Sequence, residues 1–63
     1  MHYKFYRQYF GVIGNPEQIG EDEVYHDFIK EWDREEVIHK IYELKNGIYI
    51  NTEQARYWAE EVK

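Results

Sequence analysis

The chain has 63 residues, thirteen acidic side chains against eight Lys and Arg for a formal charge of -5, and no cysteine. One thin-cored domain spanning 1–63 is the expectation, since a chain of this size buries only about 60% of the surface its unfolded form exposes, and disulfides or thiolate zinc sites are excluded as supplements to it. The acidic balance opposes direct binding to a phosphate backbone; no apolar run approaches the roughly 20 residues of a bilayer span and no signal peptide is visible, so the expectation is a cytoplasmic protein with no membrane contact.

Aromatic side chains are the unusual part of the composition. Seven Tyr, three Phe and two Trp make up 19% of the residues. Large rings bury much area per side chain, and Tyr and Trp are favoured at interfaces because they also carry a polar handle. A core this small cannot take all of them, which directs the surplus toward a partner or a second copy.

Residues 2–10, HYKFYRQYF, are more than half aromatic. At period two Tyr3, Phe5 and Tyr9 face one side and Tyr6 and Phe10 the other, with Lys4 and Gln8 in the second set, and the aromatic enrichment predicts a strand. At helical spacing Phe5, Tyr6, Tyr9 and Phe10 also share a face, with Gly11 as a stop. The strand is preferred because residues 48–50 offer it a partner. Lys4 and Arg7 beside these rings have the makings of a nucleobase platform, but two cations do not outweigh the acidic remainder.

Residues 11–20 form the connection, with three glycines and the only proline. Gly11 and Gly14 lack the third glycine, the Lys-Ser/Thr pair and the βαβ setting of a nucleotide loop. Asn15-Pro16 with Gln18 predicts a short helical turn, and Val12, Ile13 and Ile19 are expected to plug the edge of the core.

Residues 22–32 read as a helix. Val24, Phe28 and Trp32 recur every fourth position, with Tyr25 and Ile29 beside them, and Glu21, Asp22 and Glu23 suit the positive end of the helix dipole. Asp33 with Glu36 is a capping box that opens the next helix, 34–45, and Trp32 stands where it can staple against Val37. Val37, Ile41 and Leu44 form its apolar stripe, widened by Ile38 and Tyr42. Asn46-Gly47 closes it. Two alternatives stay open: a hairpin turning at Asn46-Gly47, and one long helix over 22–45 if the Asp33 cap is not used.

After Gly47, residues 48–50 alternate as a short strand. Asn51, with Gln54 in the box position, predicts a last helix over 52–62 that buries Ala55, Trp58, Ala59 and Val62. The fold class expected is thus α+β: an N-terminal aromatic strand pairing with a short strand near 48–50, packed against about three helices at 22–32, 34–45 and 52–62.

The candidates for chemistry are sparse. His39 stands between Glu35 and Glu43 on one helical face, and His26 lies near Asp22 and Lys30, but a metal site takes three or four convergent ligands and a second shell. His2 is isolated. Asp27 with Glu31, or Glu35 with Glu36, are carboxylate pairs without a cleft to desolvate them. There is no serine or cysteine nucleophile, and capping accounts for Thr52. No catalytic residue, metal or cofactor is therefore expected.

The function expected is a non-enzymatic interaction module, an inhibitor or regulator that presents an acidic helical surface to a basic protein partner, including one that itself binds nucleic acid. Its candidate interface is Tyr6, Tyr9, Asp22, Glu23, Asp27, Glu31, Glu35, Glu43, Tyr49 and Tyr57, the carboxylates steering and the tyrosines anchoring. The alternative is a homodimer or assembly subunit that covers its exposed aromatics with another copy. A small nucleic-acid-binding regulator using Lys4, Arg7 and the aromatic strand is the weakest of the three.

Overall fold

The computed structural model describes residues 2–63, in the order β1 (His2–Tyr9), β2 (Glu17–Ile19), α1 (Glu21–Phe28), α2 (Arg34–Lys45), β3 (Ile50–Asn51) and β4 (Ala55–Val62). The four strands make one antiparallel sheet in the order β2-β1-β4-β3, so the two long strands that carry the chain ends lie side by side at its centre. The α+β class stands, with two helices rather than three.

The correction falls on the C-terminal segment. Ala55, Trp58, Ala59 and Val62 satisfy helical spacing, yet 55–62 is a strand paired with β1 along its whole length, from Tyr9↔Ala55 to His2↔Val62. The strand buries Ala55 and Tyr57 together; the helical face that groups Ala55 with Trp58 leaves Tyr57 outside it. The polar residues ahead of it serve a hairpin instead of a helix cap. Thr52 Oγ1 accepts from the N–H groups of Gln54 and Ala55 at 3.2 and 3.1 Å, while Thr52 N–H donates to Ala55 O at 2.8 Å. Asn51 Oδ1 accepts from Arg56 Nε at 3.2 Å.

Two further expectations change with it. The N-terminal strand takes β4 as its neighbour, and the short strand near 48–50 is Ile50–Asn51, which also pairs with β4. The helical turn expected after Asn15-Pro16 is strand β2, in register with β1 from Phe5↔Ile19 to Arg7↔Glu17. The loop between them turns on Gly11 and Gly14, both with positive φ. Ile19 packs against the core, but Val12 and Ile13 stand in solvent rather than plugging its edge.

The helices follow their local signals closely. α1 buries Val24 and Phe28 completely, and hydrogen-bonded turns carry the chain on to Trp32, whose N–H donates to Phe28 O at 3.0 Å. Asp33 is extended and accepts from Glu36 N–H at 3.0 Å, the cap that ends any continuous helix over 22–45. α2 closes with Gly47 N–H on Leu44 O and Ile48 N–H on Glu43 O at 3.0 and 3.1 Å, and Gly47 has φ +87°. That double bond across a left-handed glycine is the Schellman closure, so the hairpin alternative at Asn46-Gly47 does not form. Ile38 and Tyr42, expected to widen the apolar stripe of α2, are exposed.

Both helices pack on one face of the sheet. Phe5, Val24, Phe28, Val37, Ile41, Leu44, Ile50, Ala55 and Tyr57 form the single core. Phe28 lies at its centre, edge-on to Tyr57 at 4.9 Å and to Trp32 at 5.3 Å between ring centroids. No helix of the described residues is long and apolar enough to cross a membrane.

Candidate functional site

Two adjacent rows across the sheet hold most of the unusual side chains. The register places Glu17, Arg7, Tyr57 and Ile50 in one row, facing the helices, and Gln18, Tyr6 and Trp58 in the next, facing away. A half-covered antiparallel sheet ordinarily turns apolar residues inward and polar ones to water. Here that order is broken at neighbouring positions: the Arg7 charge sits inside, beside buried Tyr57 and Ile50, and stacked rings sit outside.

The inner row is a clamp around Arg7. Its guanidinium is buried, with Nη1 donating to Asp27 Oδ2 at 2.8 Å and Nη2 lying 2.8 Å from Glu23 Oε2 and 3.3 Å from Glu17 Oε2. The Tyr9 ring lies under it, 4.9 Å from centroid to Cζ. Tyr57 donates to Asp27 Oδ2 at 2.6 Å. Three carboxylates from β2 and α1 therefore converge on one cation from β1, as burying a charge requires. Arg7 Nε is buried without a hydrogen-bond partner among the described residues.

The proton affinities follow from this packing. Burial acts against the Arg7 charge, but the hydrogen bonds to Asp27 and Glu17 outweigh it and push the pKa further above the ordinary arginine value. Burial pushes the Asp27 carboxyl up, and the hydrogen bonds from Tyr57 and Arg7 more than reverse it, holding Asp27 below the usual carboxylate range. Burial, then the hydrogen bond to Asp27 and its charge, push the Tyr57 phenol up. All three groups are driven away from neutrality. Through these contacts the clamp ties α1 to the sheet. Beside it lies a depression of about 200 Å³ between Tyr9, Asp27, Lys30 and Tyr57.

The outer row is an aromatic ladder. Tyr6 stacks on Trp58 at 5.8 Å between centroids and 20° between planes, and Trp58 stacks on Tyr49 at 5.5 Å and 29°. Tyr49 precedes β3 at the position that continues its register opposite Trp58. Phe10 and Tyr49, both exposed, border a groove of about 300 Å³ with Gln8, Arg56 and Trp58.

The residues singled out from sequence are thereby divided. Tyr6 and Tyr49 come together on the open face through Trp58, which sequence reading placed inside a helical core. Asp27 and Glu23 come together at Arg7, with Tyr9 over the same guanidinium. Tyr57, expected as a surface anchor, is 2% exposed and belongs to the core. Glu31 accepts from Glu53 N–H at 3.0 Å. Asp22, Glu35 and Glu43 lie on the helices and make no ion pair among the described residues. Arg7, considered with Lys4 for a nucleobase platform and missed as a core residue, points inward; its period-two spacing from Phe5 along a strand is the signal that could have found it.

Charge is segregated between the layers. Residues 21–45 hold nine of the thirteen acids and four of the eight Lys and Arg, a balance of -5, and the other segments hold four of each. Two of those four helical cations are engaged locally: Lys45 pairs with Glu21 at 3.0 Å, and Lys40 lies 4.4 Å from the Trp32 ring centroid. Among the described residues no three His, Asp or Glu side chains are grouped to hold a metal ion. No family model, curated protein or solved structure matches the chain.

Proposed function

We propose that the protein is a non-enzymatic interaction module whose helical layer meets a basic protein surface. The observation that carries this reading is the charge segregation: the net charge of -5 resides in residues 21–45, and the strands and loops around them balance to zero. A chain selected only for solubility has no need to sort its charge by layer. A field concentrated on one side steers a cationic partner and orients it. Asp22, Glu31, Asp33, Glu35, Glu36 and Glu43 supply the part of that field with no ion pair among the described residues, while Glu23 and Asp27 serve the Arg7 clamp. The clamp itself, with the Arg7, Asp27 and Tyr57 groups all driven away from neutral pH, supports a binding role over a catalytic one.

The test uses a fluorescent lysine-rich peptide as probe. Binding is expected to weaken steeply with added salt as the Debye length shrinks to about 8 Å at physiological ionic strength. Neutralising Asp22→Asn, Glu35→Gln and Glu43→Gln together should weaken it much more than Glu53→Gln, Glu60→Gln and Glu61→Gln, which change the net charge equally. Equal losses in the two triple variants, or binding indifferent to salt, overturn the reading.

A further inference from the structure

We infer that the open face of the sheet is covered by the same face of a second copy of this chain. The inference stands whether or not the helical layer meets a basic partner. Its ground is the aromatic row on the outer face: β1 and β4 are the central strands, and at their adjacent positions Arg7 and Tyr57 turn inward while Tyr6 and Trp58 turn out. Exposed rings at a sheet margin are ordinary. Half-buried Tyr6 and Trp58 at the middle of the uncovered face, stacked on exposed Tyr49 and continued by exposed Phe10, make an apolar surface placed where a partner would be centred.

The chemistry of the face selects its own copy over other occupants. Within the strands, Lys4 and Arg56 stand against Glu60, with Lys4 and Glu60 directly opposite across β1 and β4, so the face is close to neutral in a chain of charge -5. Two copies approaching sheet to sheet bring together their least repulsive surfaces and turn the acidic helices outward. A nucleic acid strand is less suited, because the ladder rings already stack on one another and leave few free faces for bases. A strongly charged protein finds no opposite field to pair with. The size is sufficient as well: a standard interface takes about 800 Å² from each partner, about one sixth of the chain's 4735 Å², a share that one face of a two-layer molecule supplies. An isologous pairing of this kind closes on itself and builds no fibre.

Sedimentation equilibrium over a concentration series tests it. The wild-type chain is expected to pass from 7.9 kDa toward twice that mass as concentration rises. Tyr49→Glu with Trp58→Thr should stay monomeric, its fold checked by circular dichroism. Should that pair fail to fold, Lys4→Glu with Gln18→Glu, both exposed on the same face and outside the ladder, should raise the dimer dissociation constant at least tenfold. Ile38→Glu with Tyr42→Glu, on the exposed side of α2, should leave it unchanged. A wild-type monomer at every concentration overturns the inference, and so does a dimer lost in the α2 variant but kept in the open-face variants.

Discussion

Tyr57 donates to Asp27 Oδ2 at 2.6 Å, and the same oxygen receives Arg7 Nη1 at 2.8 Å, so two residues of the central strands meet on one atom of α1. This three-way contact ties the helical layer to the sheet, and its removal has a predictable cost. Arg7→Ala leaves Asp27, Glu23 and Glu17 facing one another without their cation, and should destabilise by about 3 kcal/mol, the lower end for breaking a buried pair because Glu17 and Glu23 still reach solvent. A domain of this length has about 3–9 kcal/mol in total, so the loss is a large share of the fold. Tyr57→Phe removes one hydrogen bond without a cavity and should cost about 1–2 kcal/mol. Urea unfolding of both, and of Tyr57→Phe combined with Asp27→Asn, measures the coupling; strict additivity would show the two groups to be independent.

The same clamp sets a pH dependence with two limbs. Asp27 has its pKa held below the ordinary 3.8, so its contribution is fully present above that value and is lost as pH falls through the lower, folded-state pKa. Tyr57 has its pKa pushed above the ordinary 10.0, so its contribution is fully present below pH 10 and is lost as pH rises toward the higher, folded-state value. Stability from these two groups is therefore flat across neutral pH. Thermal melts should show Asp27→Asn flattening the acid limb and Tyr57→Phe the alkaline one. An unchanged pair of limbs would assign the titration to other groups.

What the sequence made legible is what local chemistry decides. The helix from Arg34 to Lys45 is written in Asp33, Glu36 and Gly47, residues that act within a turn of themselves. The segment 55–62 is decided by distance instead. Ala55, Trp58, Ala59 and Val62 fit a helix, Ala55, Tyr57 and Ala59 fit a strand, and the choice is made by eight cross-strand pairs to β1, more than forty residues away in the chain. Arg7 shows a second limit. Its alternation with Phe5 pointed inward while its charge pointed outward, and burial won because Glu17, Glu23 and Asp27 converge from two other elements. The candidate site inherited both errors: Trp58 was assigned to a core and Tyr57 to a surface, one position out of phase in each case.

The two ends of α2 give the cleanest local predictions. Asp33→Ala removes the side-chain acceptor for Glu36 N–H and should cost about 1 kcal/mol. Gly47→Ala places a Cβ where nothing lies within 4 Å, so its cost comes only from the left-handed φ of +87°, about 1–2 kcal/mol. The sites lie at opposite ends of the helix and share no partner, so the losses should add in denaturant unfolding. A marked departure from additivity would mean that the helix frays as a unit from either end.

Thr52 decides whether the chain turns back after Ile50. The residue is buried, and its hydroxyl accepts from Gln54 N–H and Ala55 N–H. Thr52→Val keeps the shape of the side chain and removes the acceptor. Ala55 N–H then sits in a buried position without a partner, which costs about 1–3 kcal/mol. Thr52→Ser keeps the hydroxyl and should recover most of that loss. Stability alone cannot separate a failing turn from a general loosening, so the informative measurement is amide exchange resolved by residue. If the hydroxyl holds the hairpin, protection in the valine variant should fall first at Gln54, Ala55 and the β3 pairings Ile50↔Tyr57 and Asn51↔Arg56, while the β1–β4 pairs nearer the chain ends retain theirs. Uniform loss of protection along β4 would place the role of Thr52 in the core rather than in the turn.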